Sequence, residues 1–203
     1  MNALARHAGS FDLALTEDVV RALREYFEMV TAWNKRLHLV APCPPAEFAT
    51  RHVLESLLAL NFLDEGARLV DVGSGGGLPF IPCLIARPDI SGTLFESSQK
   101  KAVFLREALH RFDRRRASHV VAERFENATP PAADVLTCRA LDRFTELFPA
   151  LVSWSSDTGQ MLLFGGPSLR AEIERAALPF DALLIPETQQ RFLFIVSRTP
   201  LLS

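Results

Sequence analysis

The beginning of the chain carries apolar side chains at the spacing of an α-helix. Between positions 16 and 33, one helical face bears Val19, Leu23, Phe27, Val30 and Trp33. Thr16 is a predicted N-cap, because a hydroxyl there can accept from a free backbone N–H of the first turn. A second helix is predicted to begin at Pro44 and to run to about Leu63. We expect residues 1–66 to form a helical cap packed on the rest of the chain.

From residue 67 onward, short apolar runs alternate with helical patterns. The runs that predict strands are Arg68–Val72, Gly92–Glu96, His119–Ala122, Val135–Cys138, Gln160–Phe164, Ala182–Ile185 and Phe192–Ser197. One predicted helix begins near Pro79, and two others cover Gln99–Phe112 and Leu141–Val152. Such alternation is typical of a mostly parallel sheet with helices on both faces. No helical pattern separates the last two runs, so we expect them to pair as a hairpin in an α/β domain over residues 67–203.

Composition limits the classes of partner. The 203 residues are 48% hydrophobic, enough for a single core, and their formal net charge is −2. A nucleic acid would therefore be bound by a local basic patch, not by the charge of the whole molecule. The densest positive run consists of Arg111, Arg114, Arg115 and Arg116.

Cysteine spacing and the apolar runs predict a reduced, intracellular protein. Cys43, Cys83 and Cys138 lie far apart with no histidine at ligand spacing, so we expect no metal site. The N-terminus lacks a signal-peptide core, and no stretch approaches the roughly 18 apolar residues of a membrane span. We therefore expect a soluble, cytoplasmic protein with no membrane contact, and a monomer by default.

A glycine-rich turn after the first predicted strand carries the strongest chemical signal. Such a turn lies at the carboxyl edge of the sheet, where ligands bind, and glycine lets a ligand approach the backbone. A dinucleotide fingerprint would need glycine at Leu78, whereas Asp71 places a carboxylate two residues before the first glycine. That carboxylate suits the sulfonium and ammonium of S-adenosylmethionine (SAM). The sequence thus predicts a Rossmann-like class I SAM-dependent methyltransferase with a seven-stranded, mostly parallel sheet. The predicted cofactor-binding residues of the turn are Asp71, Gly73, Ser74, Gly75, Gly77 and Leu78.

Acidic, aromatic and basic residues follow the next predicted strands. Glu96 ends the second run, about 20 residues beyond the turn, where a carboxylate can accept both ribose hydroxyls of an adenosyl group. Phe125 and Glu126 follow the third strand, where an adenine would lie. Arg139 ends the fourth strand and is expected to face the methyl group, as a cofactor contact and as a candidate on the substrate side.

These motifs, together with others, resemble the bacterial RsmG family, also called the glucose-inhibited division protein B (GidB) family. The resemblance extends from about Val19 to Ser197. Its carriers are Trp33-Asn34-Lys35, Arg51-His52-Val53-Leu54-Glu55-Ser56, the glycine segment through Leu78-Pro79, Ile81-Pro82, Glu96-Ser97, Lys100-Lys101 with Phe104-Leu105, Arg124-Phe125-Glu126, Cys138-Arg139-Ala140 and Arg191. Enzymes of this family methylate N7 of a guanosine in small-subunit (16S) ribosomal RNA. The resemblance implies that activity here, with the small-subunit rRNA or the small ribosomal subunit as partner.

The resemblance also implies roles for single residues. Gly73, Gly75, Glu96, Phe125 and Glu126 are placed on the cofactor side by their match to the family motifs. Asn34, His52, Ser56, Lys100 and Arg139 are placed towards the RNA, with Asn34, His52 and Arg139 as catalytic candidates. Guanine N7 already offers a lone pair, so in-line placement and exclusion of water suffice and no general base is needed. Arg139 would either contact the N7/O6 edge of the guanine or orient a phosphate.

Several positions depart from the family pattern, among them His38 where the family has asparagine and Cys138 where it has serine. Val40 stands where the family has threonine, Glu55 where it has aspartate, and Gly165 where it has lysine. Val40 and Gly165 favour an alternative, a SAM methyltransferase of the same fold with a different RNA or a small-molecule substrate. A catalytically silent nucleotide-binding protein would bind SAM weakly or not at all, and a dinucleotide oxidoreductase would prefer NAD.

Overall fold

The computed structural model describes residues 2–113, 116–139, 144–155 and 157–197. They contain a seven-stranded sheet made of β1 (Arg68–Val72), β2 (Ser91–Phe95), β3 (His119–Val121), β4 (Val135–Arg139), β5 (Gln160–Gly165), β6 (Phe180–Leu184) and β7 (Phe192–Ser197). The strand order is β3-β2-β1-β4-β5-β7-β6. Neighbours among β1 to β5 pair in parallel, whereas β7 runs antiparallel to β5 and β6. Six strands therefore share one direction and β7 opposes them, which confirms the predicted Rossmann-like sheet and its terminal hairpin.

Helices precede the sheet and connect its strands. They are α1 (Asn2–His7), α2 (Glu17–Leu37), α3 (Pro45–Glu47), α4 (Glu55–Leu57), α5 (Phe80–Ala86), α6 (Gln99–Phe112), α7 (Phe144–Trp154) and α8 (Pro167–Arg175). Between α3 and α4 the chain forms π-helical turns over Phe48–Leu54, and a 3-10 helix follows at Leu58–Phe62. We call this continuous stretch, residues 45–62, the cap helix. No described helix combines the length and apolar character needed to cross a membrane.

Successive residues of each strand pack on opposite sides of the sheet, as strand geometry dictates. Leu69 of β1 joins a hydrophobic core with α2, α5, α6 and the cap helix. Val70 and Val72 join a second core with α7 and α8. Val135 and Leu136 of β4 divide between the two cores in the same way. Helices thus cover both faces, and the cap helix shares its core with the sheet.

The predicted limits are confirmed where the local signals are strong. Strands β1 and β7 and helix α6 begin and end at the predicted residues. Thr16 caps α2 by accepting from the N–H of Val19. α2 continues past Trp33 to Leu37 and ends at His38, which has a left-handed φ of 50°. The chain therefore turns sharply after α2, towards the carboxyl edge of the sheet.

Other limits differ from the prediction. The strand predicted at Ala182–Ile185 is observed at Phe180–Leu184, because this edge strand is mostly exposed and its apolar run does not mark burial. Glu96 lies just beyond β2 and not within it. Helices α1 and α8 were missed by the periodicity argument, since both are short.

Some predicted features lie outside the described residues. These are Ala140, residues 141–143 of the predicted helix Leu141–Val152, and Arg114 and Arg115 of the basic run. Within that run, Arg111 forms a 2.7 Å ion pair with Glu25 of α2. That contact ties α6 to α2 and gives Arg111 a partner inside the fold.

Candidate cofactor-binding and active site

The carboxyl ends of β1 to β5 and the cap helix enclose a cavity of about 690 Å³. Ligands of doubly wound folds bind at this edge of the sheet. Of the predicted site residues, the cavity wall contains Gly73, Ser74, Gly75, Leu78, Glu96, Phe125, Glu126, Arg139 and His52. Asn34, Ser56, Asp71, Gly77 and Lys100 are not part of that wall.

The glycine-rich turn after β1 needs glycine for two separate reasons. Gly73, Gly75 and Gly77 have φ values of 70°, 51° and 86°, a left-handed conformation that other residues rarely adopt. At Gly77 a Cβ would also lie 2.5 Å from Cγ1 of Ile81 in α5. Gly77 therefore lets α5 pack directly against the turn, while Gly73 and Gly75 expose backbone to the cavity.

Glu96 holds the turn from the neighbouring strand. Its Oε2 accepts from the N–H of Gly75 at 2.9 Å, and its Oε1 accepts from the N–H of Ser98 at 2.7 Å. Each carboxylate oxygen has further lone pairs, so both can still accept hydroxyl hydrogens from the cavity. Glu96 is thus fixed in position and remains an acceptor.

Asp71 lies beneath the turn, fully buried. Its Oδ1 accepts from the Thr137 hydroxyl at 2.6 Å, and among the described residues no donor reaches Oδ2. Burial raises the pKa of Asp71 to about 7, against the opposing effect of the Ser74 and Thr137 hydroxyls. A buried carboxylate oxygen without a donor suits a cationic group placed above the turn.

Aromatic rings support the loop after β3. Trp154 packs edge-on against Phe125, with ring centroids 5.5 Å apart, and against Phe95 at 5.2 Å. Its indole N–H donates to the carbonyl of Ala128 at 2.7 Å. These contacts therefore hold the loop that carries Phe125 and Glu126 in a fixed position beside the cavity.

Arg139 joins the end of β4 to the cap helix. Its guanidinium donates to the Ser56 hydroxyl at 3.1 Å, to the carbonyl of His52 at 3.3 Å and to the carbonyl of Arg51. It also donates to a carboxylate oxygen of Glu55 at 3.2 Å. Burial lowers the pKa of Arg139, although Glu55 opposes that effect. These contacts fix the guanidinium in the wall between the cap and the sheet.

Glu55 is buried and forms ion pairs with two arginines. Besides Arg139, it binds Arg191, which precedes β7, with 2.7 Å between Nη2 and Oε1. Burial raises the pKa of Glu55, while the positive charges of Arg139, Arg191 and Arg51 lower it. The glutamate side chain reaches both guanidinium groups.

His52 lines the cavity as a neutral imidazole. Burial, followed by the positive charges of Arg139, Arg51 and Arg191, lowers its pKa to about 3. The Arg139 guanidinium lies 3.5 Å from Nδ1. Because a guanidinium can only donate, that contact favours the tautomer with its proton on Nε2.

The departures from the family pattern lie close to the cavity. Asn34 brackets Val40 with two 3.0 Å hydrogen bonds to its backbone N–H and carbonyl, so Asn34 acts on the cavity wall through Val40. At Gly165 a Cβ would lie 2.5 Å from Cδ2 of Leu169. A side chain at position 165 therefore requires Leu169 to move.

Several residues of the site were not predicted from the sequence. Tyr26 is buried in α2 and its hydroxyl donates to the carbonyl of Gly76 at 2.6 Å. Tyr26 lies next to Phe27 on the buried face of α2. The apolar periodicity predicts that this face is buried, but it does not predict a hydrogen bond from the hydroxyl. Trp154 is far from the motifs in sequence and reaches the site only through the fold. Arg191 is a carrier of the resemblance, but its pairing with Glu55 was not predicted. No group of three or more His, Cys, Asp or Glu side chains in the described part of the chain is arranged to hold a metal ion.

Comparisons with known proteins give one family and one fold. The family described as GidB, rRNA small subunit methyltransferase G, matches residues 19–192. The chain is 37% identical to the ribosomal RNA small subunit methyltransferase G of Sorangium cellulosum (strain So ce56), over 85% of this chain and 75% of that protein. It is 40% identical to the enzyme of the same name from Xanthomonas campestris pv. campestris (strain B100), over 82% of this chain and 77% of that protein.

Solved structures share the fold at low sequence identity. The mitomycin 7-O-methyltransferase MmcR has a TM-score of 0.60 at 17% identity, over 89% of this chain and 66% of that one. A ribosomal protein L11 methylase from Lactobacillus delbrueckii subsp. bulgaricus has a TM-score of 0.57 at 14% identity, over 73% of this chain and 79% of that one. At these identities the likeness shows a Rossmann-like methyltransferase fold, and it does not extend to the substrate.

Proposed function

The chain belongs to the GidB family of small-subunit rRNA methyltransferases, and we propose that its cavity binds SAM and methylates N7 of a guanosine in 16S rRNA. The observation that carries this proposal is the pairing of Glu96 with the glycine-rich turn at the edge of the same cavity that contains Arg139 and His52. One cavity then contains both a carboxylate that can accept hydrogen bonds from the ribose hydroxyls of SAM and a polar, arginine-rich wall.

The residues of the turn fit the chemistry of SAM. Glu96 offers lone pairs to the ribose hydroxyls, and the buried Oδ2 of Asp71 suits a cation above the turn. Phe125 offers an apolar side to an adenine, and its loop is braced by Trp154. When bound, SAM supplies an electrophilic methyl group on a sulfonium.

The wall opposite the turn suits a guanine edge. Guanine presents two acceptors there, N7 and O6, and N7 must keep its lone pair free to attack the methyl group. The neutral His52, with its proton on Nε2, can donate to O6 and leave N7 unprotonated. A protonated imidazole would compete for N7, so the pKa of about 3 keeps His52 in the useful form.

The cap helix contributes by position. Arg139 and Glu55 bind the cap helix to the ends of β4 and β7, next to the reacting edge. A fixed wall there orients the guanine and excludes water, which are the contributions this reaction needs. In this proposal Asn34 positions Val40 and does not touch the substrate.

Methyl transfer tests the proposal directly. Purified enzyme is incubated with tritiated SAM and with small or large ribosomal subunits from cells that lack the family's modification. We expect label in the RNA of the small subunit only. Label in another RNA, or in none despite SAM binding, would contradict the rRNA assignment.

One observation supports a second candidate, a methyltransferase of the same fold with another substrate. Gly165 places no side chain in the cavity, and Leu169 fills the space that a Cβ would need. The cavity near β5 is therefore lined by backbone and by Phe164 in place of a lysine. Transfer to small molecules, or to RNA outside the small subunit, would favour this candidate.

A further inference from the structure

We propose that Arg191, supported by Arg139 and Arg51, forms a binding site for a backbone phosphate of the RNA substrate. The identity of the phosphate rests on the proposed function, whereas the anion site itself rests on the contacts and charges of these residues.

Arg191 has N–H donors that its ion pair does not use, and its side chain reaches the cavity. Its guanidinium binds both oxygens of Glu55, at 2.7 Å from Nη2 and 3.3 Å from Nη1. Its side chain is 39% exposed, whereas that of Glu55 is 4% exposed. A guanidinium carries more N–H donors than one carboxylate uses, and its planar fork matches phosphate oxygens. The buried carboxylate thus holds Arg191 from behind and leaves its outer edge for a ligand.

The local charge is positive. Arg139 and Arg191 share Glu55, and among the described residues Arg51 forms an ion pair with the exposed Glu47, at 3.1 Å. In the part of the site that the structure describes, three arginines face two glutamates, which leaves an excess of one positive charge. His52 adds none, because its burial and, to a lesser extent, the same arginines keep it neutral. A half-buried excess of positive charge favours an anion, since desolvated charges need partners.

The cofactor half of the cavity has the opposite balance. Its charged lining consists of Glu96, Glu123, Glu126, Lys101 and Arg124, an excess of one negative charge. Four strand spacings separate β2, which presents Glu96, from β7, which follows Arg191. At about 4.8 Å per spacing they lie roughly 19 Å apart. The positive half therefore lies away from the predicted nucleoside site, and an anion on the RNA fits it better than the carboxylate of SAM.

An RNA-free titration tests the anion site alone. Inorganic phosphate is titrated into the SAM-loaded enzyme, and the rise in melting temperature is compared between wild type, Arg191→Gln and Arg175→Gln. Arg175 is the matched control, because it is 70% exposed and lies at the far end of α8. We expect phosphate to stabilise wild type and Arg175→Gln, and to stabilise Arg191→Gln much less. Equal stabilisation of all three would overturn the site.

The salt dependence of RNA binding tests whether the bound anion is a backbone phosphate of the substrate. Unmodified small-subunit rRNA is bound at several salt concentrations by the same proteins and by Arg191→Lys. Loss of one phosphate contact should reduce the slope of log K against log salt by about 0.7 to 0.9 in Arg191→Gln. We expect Arg191→Lys to restore most of the slope and Arg175→Gln to leave it unchanged.

The two proposals fail separately. An unchanged slope in Arg191→Gln, with wild type methylating the rRNA, would overturn the phosphate site and leave the function standing. A phosphate effect that depends on Arg191, with no methylation of rRNA by wild type, would keep the anion site and overturn the function. A large loss of SAM affinity in Arg191→Gln would assign the anion to the cofactor and overturn the proposal.

Discussion

The hydroxyl of Tyr26 donates a 2.6 Å hydrogen bond to the carbonyl oxygen of Gly76, which joins helix α2 directly to the glycine-rich turn. Both groups are buried, so the bond has no water to replace it. Gly76 lies between Gly75 and Gly77, two of the three glycines that adopt left-handed conformations in the turn. The long N-terminal helix therefore helps to set the shape of the turn.

Removing that hydroxyl should weaken both the fold and the turn. Tyr26→Phe leaves a buried carbonyl without its donor, which costs about 1–3 kcal/mol of unfolding free energy. We expect a weaker affinity for SAM as well, by a few-fold, measured by calorimetry. Thr50→Val is the control, because among the described residues the Thr50 hydroxyl donates to carbonyls within the cap helix. A Tyr26→Phe variant with wild-type stability and SAM affinity would contradict the role of this bond.

Glu96 should be essential for the cofactor and for the turn. Glu96→Ala removes the acceptor of the Gly75 and Ser98 N–H groups as well as the proposed ribose acceptor. Hydrogen bonds to a charged group contribute about 1.5–3 kcal/mol each, so the SAM dissociation constant should rise at least 10-fold. Glu96→Gln keeps one acceptor oxygen and should lie between wild type and Glu96→Ala. Unchanged SAM affinity in Glu96→Ala would contradict the assignment.

Arg139 should affect the transfer step more than cofactor binding. Arg139→Ala removes the contacts with Ser56, Glu55 and the cap-helix carbonyls, so the wall that orients the substrate loses its anchor. Since misplacement by about 1 Å can cost about 100-fold in rate, we expect a loss of kcat of that order with SAM affinity preserved. Melting temperatures separate this effect from unfolding. A loss of SAM affinity in proportion to the loss of rate would make the substrate-side assignment wrong.

The pKa of Asp71 gives the free enzyme a distinct dependence on pH. Asp71 ionises near 3.8 when unfolded and near 7 when folded, because burial raises its pKa. Between these values the folded state binds more protons, so its contribution lowers stability as pH rises, by up to about 1.4 kcal/mol per pH unit. Asp71→Asn should remove this contribution, and its stability should fall less than that of wild type between pH 5 and pH 8.

The test is thermal unfolding of both proteins across that range, with and without SAM. Asp89 and Asp134 have pKa values lowered by their arginine partners, so their stabilising effect is lost only at more acidic pH. A cationic ligand above the turn favours ionised Asp71, so SAM should bind more tightly to wild type as pH rises through 7. Parallel stability curves for wild type and Asp71→Asn would contradict the raised pKa.

The sequence predicts best what is encoded locally. β1 and α6 have their predicted limits, because a buried apolar run and a capped amphipathic helix each carry their own signals. β6 begins two residues and ends one residue before its predicted limits, because an exposed edge strand has no burial pattern to mark it. The turn and Glu96 belong to adjacent strand ends, so topology alone brings them together.

The rest of the site depends on packing that no local pattern reports. Glu55 meets Arg191 across 136 positions of the chain, and Tyr26 meets Gly76 across 50. His52 lies within the π-helical turns at Phe48–Leu54, which determine where its side chain points. The spacing of apolar residues in the sequence does not reveal these turns. The resemblance to a family points to some of these residues, but only the fold shows which atoms they hold.

The most direct measurement identifies the modified nucleoside. Small ribosomal subunits that lack the family's modification are treated with the enzyme and SAM, and the 16S rRNA is digested and analysed by mass spectrometry. We expect one N7-methylguanosine at one position, formed by wild type and greatly reduced for Arg139→Ala at saturating SAM. A different methylated nucleoside, or no methylation by an enzyme that binds SAM, would contradict the proposed function.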